Sequence, residues 1–95
     1  MRLVFSTVAQ RELLAALYYY ENQHLGLGAE FLDELDKALG FVRRYPEGSP
    51  ITGRNVRQRP LRRFPFVLFY AIRRNHIVVL SVAHTHRKPQ RWETM

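Results

Sequence analysis

Apolar residues in the first half of the chain recur at helical spacing. A short apolar segment at residues 3–5 predicts a strand, and Thr7 with Gln10 then forms a capping-box pattern. The next apolar positions fall three or four residues apart, which predicts a helix with one buried stripe that ends at Gly26. The residues of that stripe are Ala9, Leu13, Ala16, Leu17 and Tyr20.

A second helical pattern begins near Ala29 and ends at Pro46, which cannot continue a helix. Its inward positions are Phe31, Leu35, Ala38 and Val42, whereas Glu30, Asp33, Glu34 and Lys37 are expected to face water. Gly40 lies inside the pattern and predicts close packing or a local bend. The short link at residues 26–28 predicts an antiparallel helical hairpin.

After a turn-rich segment at residues 47–53, the period changes from helical to extended. Three strands are predicted, at residues 56–61, 66–73 and 77–84, with residues 74–76 forming the last hairpin turn. The predicted fold class is α+β, with a small antiparallel sheet made of the N-terminal strand and the three-strand meander. Both helices should pack on one face of that sheet, and residues 1–95 should form a single domain.

The charge of the chain is concentrated in its second half. Residues 1–48 carry five basic and seven acidic side chains, whereas residues 49–95 carry ten basic side chains and one acid, a net charge of +9. Such a distribution indicates a polyanionic partner, although a solubilising excess of charge is the alternative. Without a signal peptide or membrane span in the sequence, we expect a cytoplasmic protein that binds no membrane.

The first predicted meander strand carries a basic stripe. Arg57, Arg59 and Arg63 alternate with other residues and should share one face of an exposed edge strand, which Pro60 also favours. Arg73 and His84 follow at the ends of the next two strands. The stripe predicts contact with a target or a nucleic acid, and the alternative is charge that prevents aggregation between strand edges.

The sequence offers few groups for catalysis. Cleavage of RNA without a metal needs a base, an acid and fixed positive charge, and His84 is the candidate acid or base. No cysteine is present and the histidines fit no usual ligand spacing, so we expect neither a metal nor a cofactor. Trp92 is interpreted as a base-stacking residue or as an anchor for the C-terminal tail.

Four local patterns, in order along nearly the whole chain, resemble the RelE/ParE toxins of bacterial type II toxin–antitoxin systems. They are Tyr19-Tyr20-Glu21 followed by Gly26-Leu27-Gly28-Ala29-Glu30-Phe31; Tyr45-Pro46-Glu47; Arg63-Phe64-Pro65-Phe66 leading to Tyr70; and Val82-Ala83-His84 with Arg87, Pro89 and Trp92. The resemblance implies the fold predicted above and a toxin that a cognate antitoxin wraps and neutralises. We expect that antitoxin to be acidic.

Two activities are known in that family. RelE-like members cut messenger RNA on the ribosome, and they typically use lysine and arginine in the middle strands and a tyrosine near the C-terminus. This chain has no tyrosine after Arg87. The opening and closing motifs look more like the ParE branch, also called plasmid-stabilisation proteins, which poisons DNA gyrase. The resemblance therefore favours a gyrase inhibitor over a ribosome-dependent mRNA endoribonuclease. A third class, a non-toxic nucleic-acid-binding module, stays open because the basic half alone would account for it.

Overall fold

The computed structural model describes residues 1–86, and these form two helices and a four-stranded sheet. The elements are β1 (Arg2–Phe5), α1 (Thr7–Gln23), α2 (Leu27–Arg44), β2 (Val56–Pro60), β3 (Phe66–Ile72) and β4 (His76–His84). The predicted α+β fold is therefore confirmed, with each predicted element present. Within residues 1–86, neither helix is long and apolar enough to cross a membrane.

The sheet has the strand order β1-β4-β3-β2, and its strands do not all run antiparallel. The meander pairs antiparallel as predicted, because short turns connect its strands. β1, however, pairs parallel with β4, with Arg2 opposite His76 and Phe5 opposite Val79. The prediction of a wholly antiparallel sheet was wrong at this strand, since the whole helical hairpin and two strands separate β1 from its partner.

β4 contains a bulge close to the point where β1 ends. Phe69 pairs with Ser81 and Tyr70 with Val79, so Leu80 is one extra residue on β4. The pairing of β1 stops at Val79, and residues 80–84 of β4 therefore have no partner in β1. Helix α1 packs against this part of the molecule.

Aromatic side chains from both helices and the meander meet in the core between the layers. Tyr20 stacks on Phe31 at 5.4 Å between ring centroids, and Phe64 meets both rings edge-on at 4.8 and 5.3 Å. Phe66 adds a further edge contact to Phe31 at 5.3 Å. Such offset and edge-to-face pairs each add about 0.5–1.5 kcal/mol beyond the burial of their area.

The start of α1 differs by one residue from the prediction. Ser6, not Thr7, is the N-cap, and its Oγ accepts a hydrogen bond from the Ala9 amide at 3.1 Å. The side-chain amide of Gln10 points back towards the helix start, where its Nε2 donates to the carbonyl oxygen of Phe5. Ser6 Oγ also donates to the carbonyl oxygen of Leu80 at 2.9 Å, so the same residue caps the helix and contacts the bulge.

The carboxylate of Glu21 joins the two helices. It accepts hydrogen bonds from the amides of Gly26 and Gly28 at the start of α2, the latter at 2.9 Å. Gly26 has φ +90°, a left-handed conformation that favours glycine. A Cβ on Gly28 would lie 2.8 Å from Glu21 Oε1 and 2.9 Å from Leu17 Cδ1, so the helices approach closely here.

For α2, one of the two features expected at Gly40 is excluded, and the exposure expected of Glu34 was wrong. The close packing predicted at Gly40 is absent, because a Cβ there would meet nothing within 4 Å. Glu34 does not face water but is buried, with one carboxylate oxygen 3.4 Å from the ammonium group of Lys37.

The two glycines of α2 provide a matched pair of substitutions. Gly28→Ala should destabilise the protein by about 1–3 kcal/mol, because the methyl group must displace Glu21 from its capping position or push the helices apart. Gly40→Ala should stabilise it by roughly 0.5–1 kcal/mol, since alanine favours a helix interior and open space surrounds the site. Urea denaturation of both variants checks this, and equal effects would contradict the assignment of the close contact.

Candidate functional site

The three arginines of the predicted basic stripe each contact another part of the fold. Arg57 donates from one guanidinium nitrogen to the carbonyl oxygens of Ser49 at 2.8 Å and Glu47 at 3.2 Å. The guanidinium of Arg59 lies 3.6 Å above the ring of Phe41 in α2. These contacts place Arg57 and Arg59 on the helix-facing side of β2, half-buried rather than fully exposed.

Arg63 lies in the turn after β2 and reaches the other end of α2. Its guanidinium donates to the carboxylate of Glu30 at 2.9 Å, and both side chains are largely exposed. Together the three arginines of the stripe connect β2 and the turn after it to α2 and to the loop that follows α2. Binding of a target by this stripe stays a prediction.

The outer edge of β2 is bonded over part of its length. The segment that precedes β2 folds beside it, forming a bridge between Ile51 and Arg57 and a hydrogen bond from the Gln58 amide to the Pro50 carbonyl oxygen at 3.1 Å. The edge predicted to be open is therefore partly covered, and protection of that edge does not depend on charge alone.

His84 lies at the end of β4, as predicted, and its imidazole is half-buried. The ring meets Phe66 edge-on at 5.1 Å between centroids. Nδ1 is 3.1 Å from the backbone amide of His86, which donates to it, so Nδ1 acts as an acceptor and the neutral ring carries its proton on Nε2. Arg73 is exposed at the opposite end of β3, whereas Arg87 and Trp92 lie outside the described residues.

A cleft of about 670 Å³ opens between α1 and the ends of β3 and β4. It lies where β1 has already stopped, so α1 forms one wall and the sheet forms the other. Its lining combines an apolar floor with a few polar groups at its sides. The lining residues are Arg11, Glu12, Ala15, Ala16, Tyr19, Tyr20, Pro65, Phe66, Val82, Ala83 and His84.

Glu12 is the residue of this cleft that the sequence analysis missed. Its Oε1 accepts hydrogen bonds from the Ser81 hydroxyl at 2.8 Å and from the Val82 amide at 2.9 Å. Burial raises the pKa of Glu12, and these two hydrogen bonds oppose that effect. The missed signal is spacing, because Glu12 is three residues after Ala9 and four before Ala16, on the buried stripe of α1.

The arrangement is suited to binding a peptide. An apolar floor and a cationic side chain at Arg11 are features that recognise an amphipathic segment. Within residues 1–86, no group of three or more histidine or acidic side chains is arranged to hold a metal ion.

Comparison with known proteins gives two findings. Residues 3–89 match the family model described as the ParE toxin of the type II toxin–antitoxin system parDE. The chain is also similar to one from the solved structure "Chromosomal ParDE TA system from P. aeruginosa", at 19% identity and a TM-score of 0.76, over 90% of this chain and 97% of that one. No curated protein matches.

Substitutions of Glu12 should separate its charge from its hydrogen bonds. Glu12→Ala should destabilise the fold by about 2–3 kcal/mol, since a buried amide and hydroxyl lose their acceptor. Glu12→Gln should cost less than about 1 kcal/mol at pH 7, because its amide oxygen still accepts both bonds while the desolvated charge is gone. Urea denaturation at several pH values checks both variants.

The pH dependence has a definite sign. Because the native pKa is raised, the native protein binds a proton at Glu12 more readily than the unfolded chain. Wild type should therefore gain stability relative to Glu12→Gln as the pH falls from the raised native pKa towards the unfolded value of about 4.3. A loss of wild-type stability relative to Glu12→Gln on acidification would contradict this account.

Proposed function

Because this chain belongs to the ParE toxin family of type II toxin–antitoxin systems, we propose that it inhibits DNA gyrase and is held inactive by a cognate antitoxin. The observation that carries the proposal is the family match, which covers residues 3–89 of the 95. The proposed site of action is the cytoplasm, and residues 1–95 are proposed to act as a single domain.

The choice of gyrase over ribosomal messenger RNA rests on what the described residues offer. Lys37 lies on α2 beside Glu34 rather than in the middle strands, and Lys88 falls after the meander. The edge strand β2 instead carries Arg57 and Arg59, which contact the loop after α2 and α2 itself, respectively. His84 is packed on Phe66, and the acid nearest it in the cleft, Glu12, already accepts two hydrogen bonds. Proton transfer to and from RNA would need an acid and base pair that this arrangement does not favour.

The cleft beside α1 is the proposed docking site of the antitoxin. Next to it, α1 exposes Leu14, Tyr18 and Tyr19 at 49%, 65% and 53%, which is unusual for large apolar and aromatic side chains on one helix. The chain has a net charge of +7, which complements the acidic antitoxin expected from the sequence. An acidic amphipathic segment would cover these side chains and place its own apolar residues on the floor of the cleft.

The proposed activity is tested by comparing two targets directly. The purified chain should accumulate covalent gyrase–DNA cleavage complexes on supercoiled DNA and should leave messenger RNA on translating ribosomes intact. His84→Gln should retain the effect on gyrase, because a gyrase poison needs no proton transfer by this side chain. Ribosomal cuts by wild type that disappear in His84→Gln, with gyrase unaffected by either protein, would establish the nuclease and refute our proposal.

Antitoxin docking is tested with a matched pair of exposed alanines. Ala15→Glu adds a carboxylate in the cleft, which should repel an acidic segment and weaken binding of the antitoxin encoded with this chain by about tenfold or more. Ala29→Glu makes the same change on α2 outside the cleft and should leave affinity within a factor of about 3, an effect below about 0.7 kcal/mol. Titration calorimetry measures both, with circular dichroism to verify folding; equal affinities would rule out the cleft.

A further inference from the structure

Several exposed arginines lie at one end of the molecule and make no contact that stabilises the fold. Within residues 1–86, none of their side chains forms a hydrogen bond, an ion pair or a contact with an aromatic ring, in contrast to Arg57, Arg59 and Arg63. We call this group the basic end. Its members are Arg2, Arg43, Arg44, Arg54, Arg73 and Arg74.

Four of these arginines lie at or beside the strand ends on this side of the sheet. Arg73 and Arg74 form the turn between β3 and β4, and the Arg73 amide donates to the carbonyl oxygen of His76. Arg2 pairs with His76 across the parallel strands. On the other side, Val56 pairs with Ala71 near the end of β3, and Arg54 lies in the turn that leads into β2 at Val56. Because neighbouring strands are about 4.8 Å apart, the four strand ends span roughly 15 Å.

The C-terminus of α2 adds the other two arginines. Val42 is buried against Ile77, with Ile72 packed on the same cluster, and these two isoleucines pair with each other directly before the β3–β4 turn. Arg43 and Arg44 follow immediately, in the last turn of the helix. Helix α2 therefore ends at the same end of the molecule as that turn.

Acidic side chains are almost absent from the basic end. Among the described residues, the segments that reach it contribute only Glu47, three residues after Arg44. The acids of α2 itself lie in its first three turns, beginning with Glu30 at the opposite end of the helix. A surface of one sign, formed by side chains without internal partners, produces a local positive potential rather than internal stability.

We infer that the basic end binds the sugar–phosphate backbone of duplex DNA, without sequence specificity. This inference rests on the proposed function, since a gyrase poison acts on an enzyme that holds duplex DNA. Arginine suits that ligand because its planar guanidinium donates two hydrogen bonds to one phosphate. The contacts would hold the toxin near the cleaved DNA segment, while other residues engage gyrase itself.

The test compares two double variants with the same change in net charge. Arg73→Gln/Arg74→Gln removes two charges from the basic end, and Lys37→Gln/Arg62→Gln removes two from exposed positions elsewhere. Binding of a fluorescein-labelled duplex of about one to two helical turns is followed by anisotropy between 50 and about 200 mM salt. A single-stranded RNA of equal length forms the second arm, and gyrase cleavage complexes are measured for all proteins.

The basic-end variant should lose about tenfold or more in affinity for DNA, and its slope of log affinity against log salt should fall by about 1.8, or 0.9 for each phosphate contact. The control should stay within a factor of about 3 of wild type. Equal losses in both variants, no binding of DNA by wild type, or a preference for RNA would overturn the inference while leaving gyrase inhibition intact. DNA binding that depends on Arg73 and Arg74 without any effect on gyrase would instead overturn the proposed function.

Discussion

The attachment of α1 to the bulge of β4 is the constraint on which the rest of the structure depends. Where β1 stops, the inner strand of a sheet would have unpaired amides and carbonyl oxygens, which are costly to bury. Two residues form hydrogen bonds with these groups: Ser6, the N-cap of α1, and Glu12 within α1. Ser6 donates to Val79 through its amide and to Leu80 through its hydroxyl, and Glu12 accepts from Ser81 and Val82. A helix therefore takes the place of the missing strand, and the gap between the two elements is the cleft.

Arginine has two separate uses in this protein. Arg57, Arg59 and Arg63 bind carbonyl oxygens, an aromatic ring and a carboxylate, so they attach the meander to α2 and to the loop after it. Arg73 and Arg74 have no such contacts within the described part of the chain. Composition cannot separate these uses, since a guanidinium that stabilises the fold and one that awaits a phosphate add the same charge. Only the position of each side chain relative to α2 distinguishes them.

The parts of the fold that depend on local periodicity were predictable from the sequence. The stripes of α1 and α2 and the alternation of β3 and β4 follow from neighbours a few residues apart. The parallel pairing of β1, the Glu12 contacts and the burial of Glu34 depend on residues far apart in sequence, and Glu12 is 69 residues from Ser81. The motif Tyr19-Tyr20-Glu21 with Gly26-Leu27-Gly28, which supported the family resemblance, has a structural basis: Glu21 caps α2, and Gly28 permits the close approach of the helices.

The cleft and the basic end lie at opposite ends of the sheet. Phe66 and His84, which line the cleft, pair with each other at one end of the β3–β4 ladder, and Ile72 and Ile77 pair at the other. A strand of this length separates them by about 20 Å, more than the distance over which exposed charges act at moderate salt. A short segment docked in the cleft would therefore leave Arg73 and Arg74 exposed. In the proposed complex, an antitoxin bound only at the cleft would therefore leave the proposed DNA-binding surface uncovered, and neutralisation would have to act through the cleft.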